Sequence, residues 1–288
     1  MTSIASPSQS ITLIRRKTGL QAIDLQEVWQ YRDLLLILTL REIQVRYKQT
    51  ILGAFWAILQ PLMTAGIFSV LLGLLMGRGK EPGVSGVPYA VYAFCAMLPW
   101  QLFANSLTQA GASILVNHRL ITKVYFPRLI IPLSAVFAAL VDFAIALVAL
   151  ALVMFWYHII PSWPIILLPG FILLALLAST ALGLWLSSLS VIYRDFRHLI
   201  PFIVQIGFFV SPVIYSVQSL QEKLPSWAIA LYGLNPMAGV IDGFRWSLLG
   251  QGEAPGLILI PSILMTLALL VSGAYCFRHM ERRFADLV

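Results

Sequence analysis

The sequence predicts an all-α polytopic membrane protein: six transmembrane helices, an N-terminal amphipathic interfacial helix, and external re-entrant half-helices before the last span. Three observations carry this. Of 288 residues, 59% are hydrophobic and 11% charged, less than half the roughly 25% charge of a soluble domain. Mean hydropathy is +0.87. The charges gather in short clusters between uncharged runs near the roughly 20 residues that cross a bilayer.

Residues 1–24 are polar and small and are expected to form a flexible cytoplasmic tail. The cluster Arg15-Arg16-Lys17 is not followed by the apolar core a signal peptide requires, so the first span is expected to direct insertion. Residues 25–48 set Val28, Trp29, Leu35, Leu38, Ile43 and Tyr47 against Arg32, Arg41, Arg46 and Lys48. This pattern fits an interfacial helix with basic residues at the lipid headgroups. Residues 49–77 carry no charge and form the first predicted span, with Pro61 as a kink. A Gly/Pro loop (78–87) leads to the second span (88–110). Next comes the basic segment Asn117–Pro132, a cytoplasmic loop between two apolar runs.

The third span is predicted at 129–157, a turn at 158–164, the fourth span at 165–190, a polar loop at 193–198, and the fifth span at 199–217. Residues 218–253 are apolar but broken by Pro225, Gly233, Pro236, Gly239 and Gly243, and they hold Asp242 and Arg245. Charge placement decides their topology. With six spans and a cytoplasmic N-terminus, 15 of the 19 Lys and Arg lie inside, and only Arg78, Lys80, Lys223 and Arg245 lie outside. A seventh span would place Arg278, Arg282 and Arg283 outside, against the positive-inside rule. So 218–253 is expected to be an external re-entrant loop, 254–277 the sixth span, and 278–288 a cytoplasmic tail. The six-span unit thus covers 49–277.

Net charge is +7, but in a membrane chain this reports topology rather than nucleic-acid binding. Cys95 and Cys276 lie in apolar runs and read as buried thiols. His118, His158, His198 and His279 are scattered at span boundaries, and no His/Cys/carboxylate set has metal-ligand spacing. No cofactor and no catalytic site are expected. Gly77-Arg78-Gly79-Lys80 lacks the first glycine of a phosphate loop, and Glu81 stands where Ser or Thr is needed. A membrane-embedded enzyme would need clustered acids, whereas Glu81, Glu222, Asp242 and Glu253 are dispersed. Asp142 is the one acid predicted inside a span. It reads either as part of a proton path or as a hydrogen-bonding partner of a neighbouring helix. The many aromatics fit interfacial belts and packing, or a lining on which sugar rings stack.

Several motifs occur together in order: Arg46-Tyr47-Lys48-Gln49-Thr50 with Leu52-Gly53, Trp56 and Gln60-Pro61; Asn117, Leu120-Ile121, Lys123-Val124 and Phe126-Pro127-Arg128; Tyr193-Arg194-Asp195; Ser211-Pro212-Val213-Ile214-Tyr215; and Leu234-Asn235-Pro236 with Arg245. Over roughly residues 25–280 the chain resembles the membrane (permease) subunits of ABC-type polysaccharide exporters, the family that carries O-antigen, capsule and teichoic acid. The resemblance implies a homodimer in the bacterial inner membrane with both termini cytoplasmic. It also implies two separate nucleotide-binding subunits that hold ATP and Mg, and a lipid-linked glycan substrate, O-antigen first. Alternatives are capsule, teichoic acid, a drug or a small lipid. It implies contact with the ATPase through Asn117, His118, Arg119, Leu120, Lys123, Tyr125 and Phe126. It implies a substrate path at Gln49, Phe55, Trp56, Phe202, Phe208, Phe209 and Tyr215. Arg41, Arg46 and Lys48 are then expected to attract a pyrophosphate carrier at the inner leaflet, or ordinary anionic lipid.

Overall fold

The computed structural model describes residues 25–48, 55–76, 87–193, 195–221, 224–250, 254–256 and 258–287. The predicted tail 1–24, Gln49 and Arg194 lie outside them. Every regular element among these residues is helical: α1 (Leu25–Gln30), α2 (Arg32–Tyr47), α3 (Phe55–Met76), α4 (Tyr89–Val116), α5 (His118–Lys123), α6 (Ile130–Trp156), α7 (Leu168–Ile192, extended at its start by a 3-10 turn Trp163–Leu167), α8 (Phe196–Val210), α9 (Val217–Gln221), α10 (Ser226–Tyr232), α11 (Pro236–Leu249) and α12 (Leu259–Leu287).

Ile130–Trp156, Trp163–Ile192 and Leu259–Glu281 are long and apolar enough to cross a membrane. Phe55–Leu71 and Phe196–Val210 are shorter apolar stretches. At 28 residues α4 has the length, but Gln101, Asn105, Thr108 and Gln109 make it less apolar. It is nevertheless the hub of the bundle, packing against α3, α6, α7, α8 and α11. Tyr89, Phe94, Leu98, Leu102 and Leu107 of α4 are fully buried.

Close approach in this bundle depends on small residues, because lipid tails offer helices no hydrophobic drive to associate. α7 meets α4 through Gly183, where a Cβ would lie 2.9 Å from that of Ala110. It meets α12 at Gly273, where a Cβ would lie 2.6 Å from the Ala181 carbonyl oxygen and 2.9 Å from the Trp185 ring. The close neighbour is backbone and cannot rotate away. Gly273→Val should therefore part α7 from α12 and cost about 1–3 kcal/mol, read as a lower thermal midpoint in detergent. An unchanged midpoint would show that the contact tolerates a gap.

Two element ends differ from the sequence expectation. The fifth span was expected to reach 217, but α8 stops at Val210 after 15 residues. Pro212 disfavours helical backbone at Ser211, whose ψ is 153°. The expected tail 278–288 is helical as far as Leu287, continuous with the last span. Phe277 and Phe284, seven residues apart on one face, are both fully buried and pack edge-to-face at 5.4 Å.

The segment 224–250 holds two helices, α10 and α11, joined by the three residues 233–235. Asn235 caps α11, its side chain accepting from the Met237 amide at 3.0 Å, and Pro236 occupies the first helical position. Gly250, at φ 63°, ends the helix in the left-handed conformation. Most of α11 is buried against α4, α7 and α12.

Candidate functional site

Three regions hold the side chains that the sequence singled out. The first is the basic loop 117–129. His118, Arg119, Lys123 and Tyr125 are exposed, Tyr125 at 73%. Leu120 is half-buried. Asn117 and Phe126 are buried and support the loop from beneath. The Asn117 side chain accepts from Arg41 at 2.6 Å and donates to the Ser113 carbonyl at 3.0 Å. Phe126 joins a cluster with Leu38, Ile121, Leu129, Val191, Phe277 and Phe284. Arg128 donates to the Glu281 carbonyl, and its guanidinium lies 6.0 Å from the Phe284 ring. The last helix is thus fastened to the base of the loop, a contact hidden by a sequence separation of 153 residues.

The second region is the upper end of α2. Rather than lying apart from the spans, α2 packs along α6. Arg46 bonds both Asp142 and Gln109, and the Tyr47 hydroxyl donates to the other oxygen of Asp142. Asp142 is twelve residues beyond Ile130, about 18 Å along the helix axis. The sequence left Asp142 open between two roles, and the structure gives it the helix-bridging one. Arg46, expected to attract an anion, already has one. Arg41 is exposed, near Glu42 at 3.6 Å, and Lys48 is exposed at the end of α2. Leu36, Ile37, Leu40 and Val45 turn an apolar face outward from the same helix.

The third region is the outward face of α3 and α8. Phe55, Trp56, Phe202 and Phe209 are each at least half exposed. Phe208 packs inward, its ring 6.0 Å from Phe68 and 6.1 Å from Trp100. Tyr215 faces the end of α8 instead: its hydroxyl lies 2.9 Å from the Val210 carbonyl oxygen and 2.9 Å from the Tyr232 hydroxyl.

Two features escaped the sequence reading. Arg245, read from the sequence as an external charge and part of a family motif, is 4% exposed. It donates to the carbonyls of Tyr92 (3.3 Å), Pro212 (2.7 Å), Tyr215 (2.9 Å) and Val213, and its guanidinium lies 3.9 Å over the Tyr92 ring. It thereby satisfies the irregular backbone that follows α8. The second is a polar stripe on α4. Gln101, Asn105 and Gln109, spaced four apart on one face, look toward α3, α6 and the end of α2. Gln101 and Asn105 line a cavity of about 180 Å³ together with Arg46, Trp56, Gln60 and Asp142. No group of three or more metal-ligating side chains occurs among the described residues.

The sequence model of the family described as ABC-2 type transporter matches residues 33–249. The O-antigen export system permease protein RfbA of Myxococcus xanthus is 26% identical over 263 residues, covering 91% of this chain and 98% of that protein. An RfbA of Klebsiella pneumoniae is 29% identical over 264 residues, covering 89% and 95%. The polysialic acid transport protein KpsM of Escherichia coli is 25% identical over 251 residues, covering 85% and 92%.

Proposed function

The chain belongs to the ABC-2 type transporter family, and from that membership we propose that it is the transmembrane subunit of an ATP-driven exporter of a lipid-linked polysaccharide, O-antigen first. The observation that carries this is near end-to-end similarity to two kinds of polysaccharide permease, O-antigen and polysialic acid, each over more than four-fifths of the chain. A drug or small-lipid exporter has no comparable support. A capsular glycan is the alternative within the class, favoured by the KpsM relative.

In this function the chain is a homodimer in the inner membrane with both termini in the cytoplasm. ATP and Mg sit on two separate nucleotide-binding subunits, and this chain supplies no catalytic residue. Those subunits dock on the exposed side chains of the 117–129 loop, chiefly His118, Arg119, Lys123 and Tyr125, while Asn117 and Phe126 transmit their movement to the bundle. The exposed aromatics of α3 and α8 face the glycan across the dimer. Lys48 and Arg41, at the end and outer side of α2, meet the carrier's pyrophosphate.

Deletion of the chain in its host tests the function. The surface glycan should disappear and its lipid-linked form accumulate inside, with a Walker-motif ATPase co-purifying with the tagged wild type. Reversing a charge at a docking surface sets like charges against each other, so Lys123→Glu should lower surface glycan at least about tenfold. The variant's membrane abundance and dimer size should stay unchanged. Full export by that variant would remove the docking role from the loop.

A further inference from the structure

We propose that the cavity between α2, α3, α4 and α6 is a subsite for one neutral pyranose ring, an inference that rests on the glycan-export function proposed above. Its size fits a single ring. At about 180 Å³ it far exceeds one water, whose share of the liquid is about 30 Å³. It is smaller than the clefts of about 300–1,000 Å³ that hold drug-sized ligands.

The lining chemistry narrows the ligand further. The amides of Gln60, Gln101 and Asn105 have no hydrogen-bond partner among the described residues. Asn105 lies eleven residues from the end of α4, about 16 Å along its axis. That is about half the thickness of a 30 Å hydrocarbon core. Unpartnered amides on the half-buried face of α4, Gln101 and Asn105, are costly against acyl chains, and Gln60 adds an exposed amide at the cavity's edge. Each amide both donates and accepts, as does each sugar hydroxyl. Pro61 also has no N–H to return to the carbonyl of Ala57, another lining residue.

The cavity's charge disfavours an anion. Among its described lining residues the one cation, Arg46, is paired with the one anion, Asp142. The lining is therefore neutral, and it offers no excess positive charge to a phosphate. The Trp56 indole, half exposed at its rim, presents the negative face of a π system to the C–H face of a ring. Together these select a neutral, hydroxyl-bearing ring over an acyl tail or a pyrophosphate.

The test uses the full chain, co-purified with its ATPase in lipid nanodiscs. It is photolabelled with octyl glucoside, galactoside and mannoside that carry a diazirine on the glycosidic linker. Two control probes carry the same chain and diazirine, one ending in tri(ethylene glycol) and one in phosphate. At least one glycoside should label the 98–109 peptide saturably, and neither control should. Gln101→Leu with Asn105→Leu, apolar changes suited to a membrane helix, should raise the half-saturating concentration about tenfold. Gln60→Leu on α3 is the second variant should that pair fail to fold.

Labelling by the sugar-free probe equal to that by every glycoside would overturn the subsite and leave a water-filled cavity. Preference for the phosphate probe would replace it with an anion site. Failure of the export function reads differently: deletion of the chain would then leave the surface glycan unchanged, whatever the probes label. Loss of surface glycan on deletion, with no saturable glycoside labelling, would sink the subsite alone.

Discussion

Arg245→Met should destabilise the protein by roughly 3–5 kcal/mol, the cost of emptying a buried charged network of one partner. Four carbonyls depend on this guanidinium. One belongs to Tyr92 of α4, and three belong to the irregular, buried to half-buried stretch 212–215, where no helix supplies amide donors. Met fills much of the same volume without a donor, so the carbonyls of 212–215 would lose their donors, those of Pro212 and Val213 within the buried interior. Arg245→Lys keeps the charge but not the planar fork of five donors, and should fall between. Cys95 and Cys276 are both buried, so a thiol-reactive dye reports unfolding directly. The midpoint for Arg245→Met should drop by roughly 10 °C. A midpoint within a degree of wild type would mean the 212–215 backbone finds other donors.

Asp142→Leu should cost about 3 kcal/mol, because it removes the carboxylate that pairs with Arg46 and accepts from Tyr47 between α2 and α6. The distinguishing measurement is the double variant Arg46→Leu with Asp142→Leu. Removing both charges should recover most of the loss, since an apolar pair is often as stable as a buried ion pair. The coupling energy from the four-way cycle should then be at least about 1 kcal/mol. If the double variant melts as low as the sum of the singles predicts, the two residues are independent and the bridge between α2 and α6 does not hold them.

The sequence resolved the parts of this fold that are local. The expected third span, 129–157, became Ile130–Trp156, because a long apolar run, interrupted by a single charge at Asp142 and bounded by Pro127-Arg128 and His158, leaves little choice of ends. The fifth span was overdrawn because Ser211-Pro212-Val213-Ile214-Tyr215 is apolar enough to hide a helix break within it. The last helix was underdrawn because Arg278, Arg282 and Arg283 look like a tail, although Phe277, Met280 and Phe284 repeat at helical spacing and signalled that the helix continues. Of the candidate site, the exposure of Arg119 and Lys123 followed from charge. The polar face formed by Gln101, Asn105 and Gln109 was missed, although their spacing of four on an apolar helix was a signal that could have found it. The partners of Asp142 and Arg245 were not legible. Those bonds close across 95 residues or more for Asp142 with α2, and 30 or more for Arg245, and local pattern carries no record of them.

α12 is tied down at both ends. Near its start the Ser262 hydroxyl accepts from the Gly239 amide at 3.1 Å and lies within 3.1 Å of the Gly233 and Asn235 carbonyls. Near its other end the Glu281 carbonyl takes Arg128, and Phe284 sits under the 117–129 loop. From Ser262 to Glu281 the helix runs unbroken over 19 residues, about 28 Å, and its hydrogen bonds resist stretching. It acts as a connecting rod of fixed length: the loop and the α10–α11 turn share one axial coordinate. Neither can shift along that axis without carrying the other or breaking a contact at one end, so the spacing between the two faces of the protein is a constant of its motion.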